Sequence, residues 1–262
     1  MNLLHAIILG IVEGLTELLP ISSTAHLMFA SAILGIEESE FVKTFLIAVQ
    51  LGAVAAVALY YMRRIFNSHL LWKKVLAAFI PTALIGFVLY DFVKGFLLEN
   101  MLVAGIALVV GGMIMIAIEL LTKKEDEYTP NEIAPESISY GKAIAIGFIQ
   151  ALALVPGVSR SGATIIGGRL MKINRRALVE FSFLLAIPVI GGAVFLDLVK
   201  TDLSAASSDM TILLVVGMLV AGLTTWGVIS WFIRYIKRHT FISFGIYRIV
   251  IGVAAILFAT LY

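Results

Sequence analysis

The sequence contains no cysteine at all, which removes disulfide frameworks, thiolate catalysis and metal-thiolate centres. It is also short of charge. Asp, Glu, Lys and Arg make up 14% of the 262 residues, against roughly 25% in soluble domains, and an ordinary soluble enzyme is thereby excluded. Nor is there an excess of either sign, because 19 basic and 17 acidic residues leave a net charge of +2. Nothing in that balance calls for a nucleic-acid partner, and none is expected. The apolar run at residues 3–19 lacks a basic stretch before it and a small-residue cleavage site behind it, and it carries Glu13 and Glu17 inside. It is expected to stay in the mature protein.

What is present instead is apolar sequence, 61% of the chain with a mean hydropathy of +1.04. With about 20 apolar residues needed per crossing, six spans are expected near 41–62, 73–93, 99–121, 176–199, 210–233 and 241–261. Two further apolar stretches are each interrupted by a proline. Residues 3–19 and 24–35 flank Pro20–Ser23, and 141–155 and 162–171 flank Pro156–Ser161. Their pieces are too short to cross, so each pair is expected to enter the membrane and return. The fold class expected is an all-α integral membrane protein, six transmembrane helices plus two re-entrant helix-loop-helix pairs.

Basic residues set the orientation. Fifteen of the 19 fall on one side of that scheme, including Arg63, Arg64, Lys73, Lys74, Arg175, Arg176 and Lys237, while Lys43, Lys94 and Lys200 fall on the other and Arg248 lies within the last span. Cytoplasmic loops carry the positive excess, so both termini are expected outside. The halves also resemble each other: Gly10–Glu13 matches Gly147–Gln150, Pro20 matches Pro156, Phe45–Ala48 matches Phe183–Ala186, and Gly105 and Gly112 match Gly245 and Gly252. Three spans per half is an odd number, which predicts an inverted-topology repeat with the two broken-helix loops meeting near the midplane. A single membrane domain is expected, with repeat 1 at about 1–121, a cytosolic connector at about 122–140 and repeat 2 at about 141–262.

Ionisable residues inside a membrane are costly and face a partner or a cavity. Glu13 and Glu17, four apart, stack on one helix face, where like charges call for a cation, a proton or an arginine. Beyond Pro20 come Ser22, Ser23, Thr24 and His26. On its own this is an N-cap signal. With two carboxylates nearby, Ser23 and His26 have the makings of an activated hydroxyl with its base. In the second loop, Gly157, Ser159, Arg160 and Ser161 lead into a helix that carries Thr164 one turn on. Small residues, hydroxyls and free amides at a helix N-terminus favour an anion, and a guanidinium adds a fork suited to phosphate. An acid-base and nucleophile set thus faces a phosphate cradle in lipid, and the natural ligand is an amphiphile with a phosphorylated head and a long tail. Arg248 is open to three readings: contact with that head, pairing with a motif carboxylate, or snorkelling to the interface. Trp72, Trp226 and Trp231 read as interfacial anchors, and Gly10 and Gly14 as a close helix contact.

The stretches EGLTELLPISSTAH (Glu13 to His26) and PGVSRSGAT (Pro156 to Thr164) resemble the two signature motifs of the undecaprenyl-diphosphate phosphatase family, also called the BacA or bacitracin-resistance family. The resemblance extends over essentially the whole chain, including Gln50 and the Tyr247-Arg248 pair. It implies a bacterial inner-membrane hydrolase that converts undecaprenyl diphosphate to undecaprenyl phosphate and inorganic phosphate. That reaction recycles the carrier lipid for peptidoglycan, and the site is expected to open to the outer face. On this footing Glu13, Glu17, Ser23 and His26 are expected to be catalytic, and Ser22, Gly157, Ser159, Arg160, Ser161, Thr164 and Arg248 to bind substrate. A divalent cation, Mg2+ or Ca2+, is expected on Glu13 and Glu17, and a homodimer is compatible with the family. Ser23 is expected to attack with His26 taking its proton, while Glu17 orients His26 or helps to bind the cation. Rival schemes make His26 the nucleophile or let a metal-held water attack. The alternative from another class is a transporter or flippase of a lipid phosphate or other anion, since inverted repeats with broken helices are also transporter architecture.

Overall fold

A computed structural model describes residues 1–97, 100–122, 134–200 and 208–261. Among the described residues all regular structure is helical. The helices are α1 (Leu3–Thr16), α2 (Ser23–Ile33), α3 (Glu40–Ala48), α4 (Gln50–Tyr60), α5 (Met62–Asn67), α6 (His69–Phe92), α7 (Met101–Thr122), α8 (Tyr140–Gln150), α9 (Arg160–Leu170), α10 (Arg175–Lys200), α11 (Ser208–Ile236) and α12 (Ile242–Leu261). Six stretches are long and apolar enough to cross a membrane: Glu40–Tyr60, His69–Gly95, Met101–Thr122, Arg175–Lys200, Met210–Ile236 and Ile242–Leu261. These are the six expected spans, and the chain is a multi-pass membrane protein. The first is made of α3 and α4 with a break at Val49. Most of the expected connector, residues 123–133 with Lys123 and Lys124, lies outside the described residues.

The two shorter helix pairs break where proline chemistry requires. The Pro20 ring clashes with the carbonyl four residues earlier, and that residue, Thr16, is the last of α1. In the second pair, α8 tightens into a 3-10 turn over Ala151–Leu154, and Val155, the residue before Pro156, is extended, as a residue before proline prefers. Both restarts use the same unusual device. Ser22 and Ser159 hold φ of 70° and 73° and cap α2 and α9 with their side chains. Positive φ in a residue with a Cβ costs about 1–3 kcal/mol and tends to occur at functional sites.

Packing is by small residues. Without a hydrophobic drive between helices in lipid, close backbone approach supplies the contact. In the α7–α12 pair a Cβ placed on Gly105 would meet the Gly252 carbonyl, and one on Gly112 would meet that of Gly245. Positions matched between the halves thus trade partners. The larger pairings behave likewise: α1 lies on α11 as α8 lies on α6, and α4 packs on both α10 and α11. Gly10 and Gly14 meet α11 at Gly217 and Ala221, the close contact their spacing predicts.

Charges divide between the two ends. At one end Arg64 binds Glu136 and Glu180, Lys74 donates to the Glu136 carbonyl, and Arg175 binds Glu119. At the other, Lys94 bridges Asp197 and Glu40, Lys43 binds Glu40, and Lys200 binds Asp91. Trp226 and Trp231 are about half exposed, as interfacial anchors would be, whereas Trp72 is partly buried against the core.

Candidate active site

The two proline-broken loops meet, and Arg248 joins them. This arginine of α12 is fully buried. Nη1 donates to the carbonyls of Pro20 (3.1 Å) and Val158 (3.0 Å), Nη2 to those of Gly157 (2.9 Å) and Ala107 (3.3 Å), and Nε to that of Leu108 (3.4 Å). Its donors are therefore occupied by backbone from both loops and α7. In this structure it ties the two loops to each other and to α7. A second tie runs from the Gly157 amide to the Ser22 hydroxyl at 3.1 Å, and a third from the Ser161 hydroxyl to the Leu19 carbonyl at 2.8 Å.

Around this junction the functional side chains come together in an arrangement that differs from the expected one. The Ser23 hydroxyl donates to Glu17 Oε2, not to His26. The other oxygen, Oε1, accepts from Arg160 Nη2 at 3.1 Å. Arg160 Nη1 is anchored on Ser182 of α10, at 2.7 Å to its carbonyl and 3.2 Å to its hydroxyl. His26 is turned by its own helix, since Nδ1 sits 2.7 Å from the Ser22 carbonyl and must carry the hydrogen there. In the neutral ring Nε2 then accepts from the Tyr247 hydroxyl at 3.0 Å. Three residues of spacing do bring Ser23 and His26 to the same helix start, but the serine is paired backwards and the histidine sideways. The expected Glu17–His26 orientation is likewise replaced by Glu17–Ser23.

The second loop is more internally satisfied than a vacant anion cradle. The Ser159 hydroxyl accepts from the Gly162 amide at 3.0 Å and lies 3.2 Å from that of Ser161. Thr164 is fully buried and donates to the Arg160 carbonyl (2.9 Å) and to Gln150 (3.3 Å), whose amide reaches Thr82 at 3.0 Å. Ser161 and Thr164 thus help to hold the loop in shape through their own hydroxyls. The backbone still needs a residue without a Cβ at 157, where φ is 93° and the Ala104 carbonyl lies against the position a Cβ would fill.

Glu13 stands apart. It is completely buried, and neither carboxylate oxygen makes a hydrogen bond to any described residue. A buried, unpartnered carboxylate costs several kcal/mol, which calls for a proton, a water or a cation at Glu13. No group of three or more metal-ligating side chains occurs among the described residues. A hard cation here would draw its remaining oxygens from ligand and water, as Mg2+ does in phosphate sites. The donor set fits such an ion on Glu13, with Glu17 alongside.

Next to the loops lies a cavity of about 740 Å3 with mostly apolar walls. Thr24, in the first turn of α2, and Pro156 of the second loop line it together with Gln50 and Thr82, and its lining continues past Phe79 and Phe87 to Lys43 and Lys94. Sequence reasoning missed Ser182, Gln150 and the Lys94–Asp197 pair. Nothing local marks Ser182, while Gln150 is the residue that the match between Gly10–Glu13 and Gly147–Gln150 sets against Glu13.

A buried carboxylate, serine and arginine cluster set between two broken helices, beside an apolar chamber in a six-span bundle, defines a membrane-embedded site for an anionic amphiphile. The chain belongs to the family described as bacitracin resistance protein BacA, whose match covers residues 6–254. It is similar to proteins named undecaprenyl-diphosphatase. One from Aquifex aeolicus is 45% identical over 95% of each chain. One from Wolinella succinogenes is 45% identical over 97% of this chain and 96% of its own, and one from a Sulfurihydrogenibium species is 46% identical over 97% and 98%.

Proposed function

We propose that the chain is an undecaprenyl-diphosphatase, hydrolysing undecaprenyl diphosphate to undecaprenyl phosphate and inorganic phosphate, and so recycling the carrier lipid for cell-wall synthesis. Whole-length similarity to proteins of that name supports the reaction. The observation that carries the mechanism is the Ser23 hydroxyl held between the α2 N-terminus and the Glu17 carboxylate.

Phosphoryl transfer asks the protein mainly for positioning and charge neutralisation. Ser23 Oγ attacks the terminal phosphorus as Glu17 Oε2 takes its proton. The bond from that phosphorus to the bridging oxygen breaks, and undecaprenyl phosphate leaves. Arg160, already beside Glu17, turns its guanidinium to the oxygens that gain charge. Water then attacks the phosphoserine, His26 Nε2 removes its proton once Tyr247 yields, phosphate departs as Glu17 returns a proton to Ser23, and His26 releases its own proton to the solvent. Arg248 keeps the two loops in register throughout. A divalent cation held by Glu13, with Glu17 beside it, would neutralise charge on the diphosphate.

The reading places the protein in the bacterial inner membrane with its cavity open to the outer face. The sparsely basic end, at Lys43, Lys94 and Lys200, supports that orientation. An inverted repeat with both loops near midplane is supported by the exchange of helix partners between halves and by three spans in each. The test is phosphate release from undecaprenyl diphosphate by purified protein in detergent. Release that collapses in Ser23→Ala, Glu17→Gln and Arg160→Ala is expected. A folded wild type that releases nothing with Mg2+ or Ca2+ supplied contradicts the reading and turns attention to transport.

A further inference from the structure

The cavity beside the loops, about 740 Å3, has the size of a pocket for a drug-sized ligand, roughly 300–1,000 Å3. A polyprenyl tail is far longer than such a ligand, so most of it must lie elsewhere. One end of the cavity is no way out for hydrocarbon. It runs past Lys43 and Lys94 to a charged end of the bundle, where apolar surface would be given back to water. The side wall is different. It is built by α6 and α10, and both helices carry an internal proline, Pro81 and Pro188, which breaks the hydrogen-bond ladder and bends the helix. Just beyond those prolines the wall consists of small residues, Ala83 and Gly86 from α6 and Gly192 and Ala193 from α10.

The two helices are joined on either side of this stretch. Phe79 lies against Gly192, its ring 3.3 Å from the place a Cβ would take. At the sparsely basic end Lys200 binds Asp91 and Lys94 binds Asp197. Between these contacts the space is not filled. A Cβ on Gly86 would meet only the tip of Leu154 within 4 Å, at 3.6 Å, and nothing from α10. Leu84, Phe87 and Phe195 line the cavity and are nevertheless 64%, 62% and 71% exposed. A side chain whose one free face looked into a closed chamber would be covered from behind, so this wall is open to the outside. From Gly192 to Asp197, α10 rises about 7.5 Å at about 1.5 Å per residue, which leaves room for a single hydrocarbon chain.

We propose that the slot between α6 and α10 is a lateral portal, through which the polyprenyl tail of the substrate passes from the cavity into the bilayer while the diphosphate sits at the loops. Three observations favour this occupant. The slot walls are apolar, the slot is continuous with a cavity that reaches Thr24 and Pro156, and it lies within two membrane spans, so the exit is into lipid. The isoprene units nearest the head fill the chamber and the rest of the tail leaves through the slot. A long tail therefore senses the portal and a short one does not. The inference rests on the phosphatase reading for the identity of the head, and its test separates the two.

The chain has no cysteine, so a thiol placed at the slot is unique. Gly86→Cys and Ala193→Cys put one on either side, and Gly227→Cys, at a position of α11 with open space around it, serves as control. Each full-length protein is assayed before and after reaction with benzyl methanethiosulfonate, and again after reduction restores the thiol, so every variant is its own reference. Farnesyl diphosphate, whose short tail stays within the chamber, is read beside undecaprenyl diphosphate as a substrate or, if it is not turned over, as a competitor. Modification at either slot position is expected to raise KM for undecaprenyl diphosphate at least about five-fold, to leave farnesyl diphosphate within about two-fold, and to be reversed by reduction. Gly227→Cys responds with neither. Equal losses with both diphosphates would mark a damaged site, and no change with either would mean that the tail runs elsewhere; each overturns the proposal. A wild type that hydrolyses neither removes the phosphatase reading without touching the portal, and the rate of modification then decides. Undecaprenyl phosphate added to the micelles is expected to slow labelling of Gly86→Cys and Ala193→Cys but not of Gly227→Cys, and equal rates with and without the lipid refute the portal.

Discussion

Ser23 gives its hydroxyl hydrogen to Glu17, six residues back across the Pro20 turn, and not to His26 one turn ahead. In the proposed mechanism the serine's base is thus a carboxylate that Arg160 grips on its other oxygen. A carboxylate so placed removes a proton only when its arginine partner is drawn away to a more demanding anion, which couples activation of the nucleophile to arrival of the diphosphate.

Glu17→Gln keeps the shape and removes the base. It is expected to lower kcat by about 10²- to 10⁴-fold, the range for a positioned general base, with a smaller change in KM. His26→Ala is expected to impair the second step more than the first. Single-turnover and steady-state phosphate release, measured together, separate the two.

Arg248→Lys is expected to be as damaging as Arg248→Ala. Five carbonyls surround the guanidinium, and an ammonium offers three donors from a single point. Each buried carbonyl left unsatisfied costs about 1–3 kcal/mol, so both variants should unfold at distinctly lower temperature in detergent and lose activity together. A stable Arg248→Lys protein with ordinary kcat would show that the tie is dispensable.

Glycines provide a matched pair. A Cβ at Gly52 would run into the Met218 backbone, whereas one at Gly227 meets open space. Gly52→Ala is expected to destabilise by about 1–3 kcal/mol through overpacking, and Gly227→Ala to be neutral or to stabilise by up to about 1 kcal/mol. Thermal unfolding of the two variants checks this.

Acid stability should depend on Glu136, which lies outside the spans. Burial would raise its pKa, but hydrogen bonds and charge from Arg64 hold it below the ordinary value of 4.5. A carboxyl whose folded pKa is depressed adds stability that is present above its unfolded pKa and lost as pH falls through the folded one. The Tm of the wild type should therefore fall more steeply below about pH 4.5 than that of Arg64→Gln. Equal slopes would contradict the assignment.

Much of this architecture is legible in the residues. Spans follow from hydropathy, and breaks from Pro20 and Pro156. Side-chain pairing inside the loops is less legible. Periodicity puts Ser23 near His26, but a cap serine with φ of 70° at Ser22 turns the chain so that Ser23 looks back at Glu17. An arginine in the last span gives no sign of its backbone partners, which are carbonyls at the two helix breaks and two more from α7. Such backbone groups leave no mark on a hydropathy pattern. Ser182 and Asp197 are likewise invisible, since each matters only through a partner distant in sequence.

The most direct test is rapid quenching of His26→Ala with undecaprenyl diphosphate labelled in its terminal phosphate, followed by mapping of the labelled residue. The account predicts phosphate on Ser23, accumulating in this variant and absent when Glu17→Gln is added. Label on any other residue, or turnover by His26→Ala with no labelled protein at any time, would contradict it.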